Sequence, residues 1–113
     1  MLCQVNAIRA QVGKKPLQMD SRLMNAAQLH SEDQATHKQM THTGTKIANF
    51  FDRIEAAGFQ CSGASENVAW NQQDVTAVVQ AWKNSPGHYQ NMIGDYNCFG
   101  WGEQDLYWTQ DFA

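Results

Sequence analysis

Two histidines and a glutamate are the residues of this sequence best suited to chemistry. His42 lies in the segment Thr-His-Thr-Gly, His88 follows the segment Ser-Pro-Gly, and Glu66 opens the strand-like stretch Glu-Asn-Val-Ala-Trp. Two neutral imidazoles and a carboxylate form a ligand set that a divalent metal such as zinc accepts. The same three groups can also move protons. The residues therefore predict a functional site more clearly than they predict a reaction.

The local setting favours His88 most. Ser85 and Pro86 are typical of the start of a helix, which places His88 in the first turn, where free backbone N–H groups and the positive end of the helix dipole favour a neutral imidazole. Each residue also has a structural interpretation of its own. His88 can bond its own loop, His42 can be a solvated loop residue, and Glu66 can be a surface acid at the end of a strand.

The other two histidines are interpreted as structural. His30 falls on the apolar face of a predicted helix, which favours a core position, and His37 lies near the end of that helix, where it can interact with the last carbonyl groups. The sequence contains no H-E-x-x-H helix, no C-x-x-C pair and no phosphate-binding glycine loop. Trp82, Trp101 and Trp108 are most simply core residues.

The elements that must position these residues follow from hydrophobic spacing, helix caps and glycines. Helices are predicted at residues 2–12, about 21–37, 47–57, 75–83 and from 86 onward, and strands at 66–70, 98–102 and 106–112. A loop is expected at 40–45 and a short turn near 103–105. This order predicts an α+β fold in which helices pack on an antiparallel sheet.

Composition limits the class of protein. The 113 residues predict a single domain, and 42% hydrophobic with 17% charged residues is ordinary for a compact protein. A net charge of −3 without a basic cluster beyond Lys14 and Lys15 argues against nucleic-acid binding. No apolar run approaches the roughly 20 residues of a membrane helix. No leader opens the chain, so it is either intracellular or begins after a processed leader.

The three cysteines allow at most one internal disulfide. Cys61 and Cys98 lie in the half that is richest in predicted strands and are the preferred pair, which would leave Cys3 free. The alternative is that all three are reduced and act as small core residues.

Taken together, five ordered segments resemble the CAP superfamily, which comprises the cysteine-rich secretory proteins, antigen 5 and pathogenesis-related 1 proteins. The segments are Ala-Ala-Gln-Leu-His-Ser at 26–31, Thr-His-Thr-Gly at 41–44, Ser-Glu-Asn-Val-Ala-Trp at 65–70, Ala-Trp-Lys-Asn-Ser-Pro-Gly-His at 81–88 and Tyr-Trp-Thr-Gln-Asp-Phe at 107–112. They span nearly the whole chain and are most similar to the short bacterial and fungal SCP-like domains.

The resemblance implies a three-layer α-β-α sandwich with a central, mainly antiparallel sheet. It also implies a cleft in which His42, Glu66 and His88 converge as three members of the family's tetrad. Many members have a second acid at the position that Ser85 occupies here, so the tetrad of this chain lacks one carboxylate. Ser85 and the preceding Asn84 are expected to line the cleft. The three remaining groups would leave a bound zinc one open position.

The resemblance implies that the protein is a secreted binding module whose His/Glu cleft can hold a divalent metal. Its ligand would be a sterol or other lipid, or a host or surface partner. Lipid binding would need an apolar groove, for which Ile47, Phe50, Phe51 and Met92 are candidates. Two alternatives remain: a zinc-dependent, peptidase-like hydrolase with Glu66 beside the metal-bound water, and a structural or adhesive domain. An enzymatic function is less favoured than a binding or structural one. No nucleic-acid partner or membrane span is expected.

Overall fold

Five helices and four strands make up the structure, a computed structural model that describes residues 1–113. In chain order they are α1 (Leu2–Gln11), β1 (Gln18–Met19), α2 (Ser21–His37), α3 (Phe50–Ala56), β2 (Ser65–Trp70), α4 (Val75–Lys83), α5 (Pro86–Met92), β3 (Cys98–Gln104) and β4 (Tyr107–Phe112). The helices lie on both faces of one mixed sheet. The predicted α+β, three-layer sandwich with a mainly antiparallel sheet is confirmed.

The sheet has the order β1-β3-β4-β2, so β4 is central and β2 forms one edge. β4 pairs antiparallel with both neighbours, while the two-residue β1 pairs parallel with β3. A two-residue turn at Asp105 and Leu106 joins β3 to β4, and both residues have positive φ, 51° and 66°. Such turns match the twist of the strands they connect. The turn lies slightly later than the sequence predicted, and β1 was not predicted at all.

One face of the sheet carries the main apolar core. Helices α1, α4 and α5 pack there, and their apolar side chains meet those of β3 and β4 around the nearly inaccessible Trp82. The buried apolar members of this core are Val5, Ile8, Leu17, Ala69, Val78, Val79, Trp82, Met92, Phe99, Trp108 and Phe112. This core holds α5, and with it His88, against the edge strand β2.

The other face is covered by α2 and α3 around a small apolar cluster of Leu23, Ala26 and Ile54. Asp20 caps α2, and its side chain accepts a hydrogen bond from the backbone N–H of Arg22. Apart from Ala27, the other buried residues of α2 are polar. Ser31 and Gln34 both bond the Thr109 hydroxyl of β4, at 2.8 and 3.1 Å.

Two other helix starts differ in detail from the expectation. α3 begins at Phe50 instead of residue 47, because the Asn49 side chain caps it by accepting a hydrogen bond from the backbone N–H of Phe51. α5 begins at Pro86 as predicted, but the Ser85 side chain makes no capping bond. None of the five helices combines the length and the apolar character that crossing a bilayer requires.

The preferred Cys61–Cys98 disulfide is not formed, and Cys3, Cys61 and Cys98 are all free thiols. Cys61 and Cys98 both pack against the apolar cluster of Leu23, Ala26 and Ile54. Burial raises the pKa of both thiols, which keeps them protonated. Their behaviour is that of small apolar side chains, the alternative that the sequence had left open.

The contact between α2 and β3 depends on two glycines of the strand. A Cβ on Gly100 would overlap the backbone of Leu23 and Met24, and a Cβ on Gly102 would overlap the backbone of Gln28. We expect Gly100→Ala to lower the free energy of unfolding by about 1–3 kcal/mol or more, because the helix must move away from the sheet. Urea unfolding measures this. Gly63→Ala is the control, since its Cβ would contact nothing within 4 Å, and equal losses in the two variants would contradict the close packing.

Candidate functional site: an edge-strand histidine cleft

A buried ion pair lies at the centre of the site. Glu66, on the edge strand β2, is 3% exposed, and both of its carboxylate oxygens accept hydrogen bonds from Arg53 Nη2 of α3, at 2.8 and 2.7 Å. Arg53 Nη1 donates to the backbone carbonyls of His42 and Ala48, at 2.9 and 2.8 Å. One guanidinium therefore neutralises Glu66 and also fixes the loop that carries His42.

His42 is held by the same carboxylate. Its Nδ1 lies 3.0 Å from Glu66 Oε1, and its side chain is half exposed. Because an ionised carboxylate can only accept, Nδ1 carries a proton, and in the neutral tautomer Nε2 keeps a free lone pair. The exposed edge of the ring therefore offers a nitrogen ligand or a hydrogen-bond acceptor in an orientation set by Glu66.

His88 reaches the site from the opposite layer. Asn67 of β2 donates to the His88 carbonyl at 3.1 Å, and Asn91 donates to the Asn67 side chain at 2.8 Å, so the first turn of α5 is tied to β2. Partial burial lowers the pKa of His88, and the nearby His42 lowers it further. Both effects favour the neutral imidazole that the sequence predicted for this position.

A second buried acid stands beside Glu66. The register of the two strands places Asp111 of β4 directly opposite Glu66, and Asp111 is fully inaccessible. As an ionised group its oxygens would have no hydrogen-bond partner. Burial, together with the charge of Glu66 and the hydrogen bond to it, raises the pKa of Asp111 well above its ordinary value. The raised pKa favours the neutral acid, whose O–H can donate a hydrogen bond to the Glu66 carboxylate.

Glu66 itself remains ionised. Burial alone raises the pKa of Glu66, but hydrogen bonds from His42 and Asp111 and the positive charge of Arg53 outweigh burial and lower it. Two adjacent carboxyl groups thus have opposite protonation states, set by which of them faces the guanidinium.

The structure places the predicted residues as follows. His42, Glu66 and His88 lie around the edge strand, but no group of three His, Cys, Asp or Glu side chains is arranged to hold a metal. Asn84 is exposed and accepts from Gln80, and Ser85 precedes α5. Their position along the cleft stays a prediction.

Sequence reasoning missed Arg53, Asp111 and a role for His30. His30 is 1% exposed, as a core interpretation requires, yet its Nε2 lies 3.8 Å from Glu66 Oε1. A signal for Arg53 existed, because it falls in the apolar spacing of Phe50, Ile54 and Ala57. A charged residue in such a stripe predicts a buried partner.

Fold, motif order and the histidine cleft together define an SCP-type domain. The chain belongs to the family described as CAP, the cysteine-rich secretory protein family, whose model matches residues 2–112. The sequence-based resemblance is confirmed.

Two bacterial proteins show how close the relationship is. The chain is 34% identical over 108 residues to the uncharacterized membrane protein YlbC of Bacillus subtilis, covering 95% of this chain and 31% of that protein. An extracellular protein of Bacillus anthracis that contains an SCP domain superposes with a TM-score of 0.91 at 28% identity, over 96% of this chain and 37% of the other. The chain thus spans about a third of the length of these relatives.

An outer surface protein of Borrelia burgdorferi shares the fold, with a TM-score of 0.87 at 21% identity. That match covers 98% of this chain and 86% of the other protein.

The ion pair gives the first prediction for the site. We expect Arg53→Met to lower the free energy of unfolding by about 3–5 kcal/mol, because it leaves Glu66 buried without its counter-charge. Urea unfolding measures the loss. Arg22→Met is the matched control, since Arg22 forms an exposed pair with Asp20 at 2.7 Å that solvent screens. If both variants lose the same stability, Arg53 does not hold the site together.

The raised pKa of Asp111 gives a prediction with a definite sign. The folded state keeps the Asp111 proton at pH values where the unfolded chain releases it, so this group costs wild-type stability as pH rises above about 4. Asp111→Asn keeps a donor toward Glu66 but cannot ionise. The free energy of unfolding of Asp111→Asn, taken relative to that of wild type, should therefore increase with pH, by at most about 1.4 kcal/mol per pH unit. Urea unfolding between pH 4 and 7 tests this, with Asp105→Asn at an exposed position as the control. If the free energies of unfolding of wild type and Asp111→Asn change in parallel with pH, the prediction is wrong.

Proposed function

We propose that this chain is an extracellular binding domain in which the paired histidines His42 and His88 hold a divalent cation, and through it a surface partner. The observation that carries this proposal is the bond between His42 Nδ1 and the fixed carboxylate of Glu66. Metal-binding histidines usually donate their other ring N–H to such a carboxylate. The family description and the extracellular relative from Bacillus anthracis support a location outside the cell.

The chemistry of the donor set assigns different roles to the three predicted ligands. Glu66 does not fit as a direct ligand, because both of its oxygens are bonded to a guanidinium whose charge opposes a cation at the same place. His42 and His88 are the two remaining candidates, since the imidazole of each can offer a ring nitrogen to a cation. Zinc or a similar cation held this way would keep several positions for water or for a partner's carboxylate.

The hydrolase alternative is not favoured by this arrangement. A base beside a metal-bound water works best with a pKa near the working pH. Here the bonds from His42 and Asp111 and the charge of Arg53 lower the pKa of Glu66, against the effect of burial. Asp111 is fully buried and is also unsuited to that role.

The predicted lipid groove gains no support from its four candidate residues. Met92 is fully buried in the apolar core, whereas Ile47 is 38% exposed on the side of the sheet that α2 and α3 cover. Phe50 and Phe51 are half buried. These residues do not share one groove, which favours a surface partner over a lipid at this site.

A structural role is the second candidate, favoured by the bonds from Arg53 to two loop carbonyls. It makes a different prediction. In that case His42→Ala and His88→Ala lower the thermal midpoint and leave cation binding, if present, unchanged.

Zinc titration by calorimetry tests the proposal. For wild type we expect a single site with a dissociation constant between about 1 µM and 1 mM, roughly −8 to −4 kcal/mol, as suits a site with two protein ligands. His42→Ala and His88→Ala should each lose binding at least tenfold. Glu66→Gln should weaken binding less than either, since it removes only the orienting carboxylate.

His37→Ala is the matched control, because His37 is exposed on α2 and bonds the Asp33 carbonyl at 2.9 Å. It should bind zinc as wild type does. The proposal is wrong if the wild type gives no zinc heat, or if His37→Ala loses as much affinity as His42→Ala.

A further inference from the structure

The end of the edge strand β2 carries an exposed aromatic ring that has no part in the histidine cleft. Trp70 is the last residue of β2, is 51% exposed and is the only exposed aromatic residue of the chain. It lies opposite Tyr107, the first residue of β4, and the two rings stack with their centroids 5.7 Å apart and their planes at 30°. Tyr107 is buried. The Trp70 indole therefore rests on a buried ring, while about half of the residue faces solvent.

The backbone beside Trp70 is anchored to the neighbouring turn. The backbone N–H of Asn71 donates to the Leu106 carbonyl at 2.9 Å, so the residue after Trp70 is tied to the turn between β3 and β4. Together with the ladder to β4, this bond fixes where the indole stands. A ring that is already in place loses little conformational freedom when a ligand binds, which favours the use of Trp70 as a binding surface.

A solvent-open depression of about 430 Å³ lies beside the Trp70 ring, between the end of α2 and the β3–β4 turn. Six residues line it: Ala35, Lys38, Met40, Trp70, Asp105 and Tyr107. Lys38 and Asp105 are exposed, and neither forms an ion pair within the chain. One ammonium and one carboxylate are thus free to bond a ligand. We call these six residues the Trp70 platform.

We propose that the Trp70 platform binds a neutral glycan of β-linked, gluco-configured sugars, with one sugar ring stacked on Trp70 and its hydroxyls bonded to Lys38 and Asp105. In such a sugar every ring substituent is equatorial, so each face of the ring presents only C–H groups. The negative face of an indole attracts these C–H groups. The hydroxyls around the rim can accept from the Lys38 ammonium and donate to the Asp105 carboxylate.

Other ligand classes match the Trp70 platform less well. The opposite charges of Lys38 and Asp105 cancel, so a ligand with one charge is attracted by one group and repelled by the other. A nucleic-acid base could stack on the indole, but the net charge of −3 opposes its phosphates. A hydrocarbon chain would contact the ring and leave both charged groups without a bond. A neutral polyhydroxy ring uses all three.

The Trp70 platform is independent of the cation site proposed above, because none of His42, Glu66 and His88 lines it. Titration of the ¹⁵N-labelled full chain with cellotetraose therefore tests it in the presence of a chelator, where the cation site is empty. The indole N–H of Trp70 should shift with a dissociation constant of about 0.1 to 10 mM. The indole N–H of Trp82 is the internal reference, since it is buried and donates to the Val68 carbonyl.

Variants and a second probe separate stacking from unspecific contact. Followed at the amides of Lys38 and Asp105, Trp70→Ala should bind cellotetraose at least about tenfold more weakly, and Trp70→Phe should be intermediate because its ring is smaller. Leu29→Ala is the control, since Leu29 is an exposed apolar residue outside the Trp70 platform, and it should bind as wild type does. D-Glucitol, which has similar hydroxyls but no ring, should leave the Trp70 signal unchanged.

Chitotetraose, whose N-acetyl group is also equatorial, is titrated in the same way. The proposal is overturned if neither sugar moves the Trp70 signal at up to about 20 mM, or if D-glucitol moves it as strongly as cellotetraose does. A Trp70 signal that shifts on dilution of the protein alone, and not with either sugar, would show instead that the Trp70 platform is a contact between two copies of the chain.

Discussion

The buried pair between Arg53 and Glu66 is the interaction on which the rest of the cleft depends. Burying two charges is costly, and hydrogen bonds to the charged groups offset much of that cost. Here the guanidinium bonds both carboxylate oxygens and two loop carbonyls, so a helix, an edge strand and an irregular loop are joined at one point. The orientation of His42 and the opposite protonation states of Glu66 and Asp111 follow from it.

Strand register distributes polar groups over both faces of the sheet. Glu66 lies opposite Asp111 on the face that α2 and α3 cover. The next pair, Asn67 and Gln110, lies on the face of the main core, where the two side chains form a hydrogen bond of 3.1 Å. Asn91 of α5 donates a further hydrogen bond to the Asn67 side chain. A slip of one residue would turn the acids toward the apolar core. The polar pairs therefore specify a unique register as well as the site.

Much of the fold could be predicted from the sequence because its signals are local. Asp20, Asp74 and Gly13 mark helix ends through their own caps and backbone angles, and the five ordered motifs indicate the family. The site was predicted only in part. His42, Glu66 and His88 stand in motifs, whereas Arg53 and Asp111 become a site only when α3 and β4 approach β2. The two-residue β1 is too short to show a period, and the Cys61–Cys98 pairing was wrong because sequence cannot give the relative placement of two distant thiols.

The position of β4 in the sheet also has a consequence for biosynthesis. β2 and β3 do not touch each other, and each finds its antiparallel partner only in β4, which is the last of the nine elements to be translated. The helices can form as the chain emerges, but β2, with Glu66, must wait about forty residues for the strand that completes it. Until β4 has emerged from the ribosome, an unpaired edge and a buried-charge site without its second acid stay open to other chains. The interval between the emergence of β2 and that of β4 is therefore the time when this domain is most prone to aggregate.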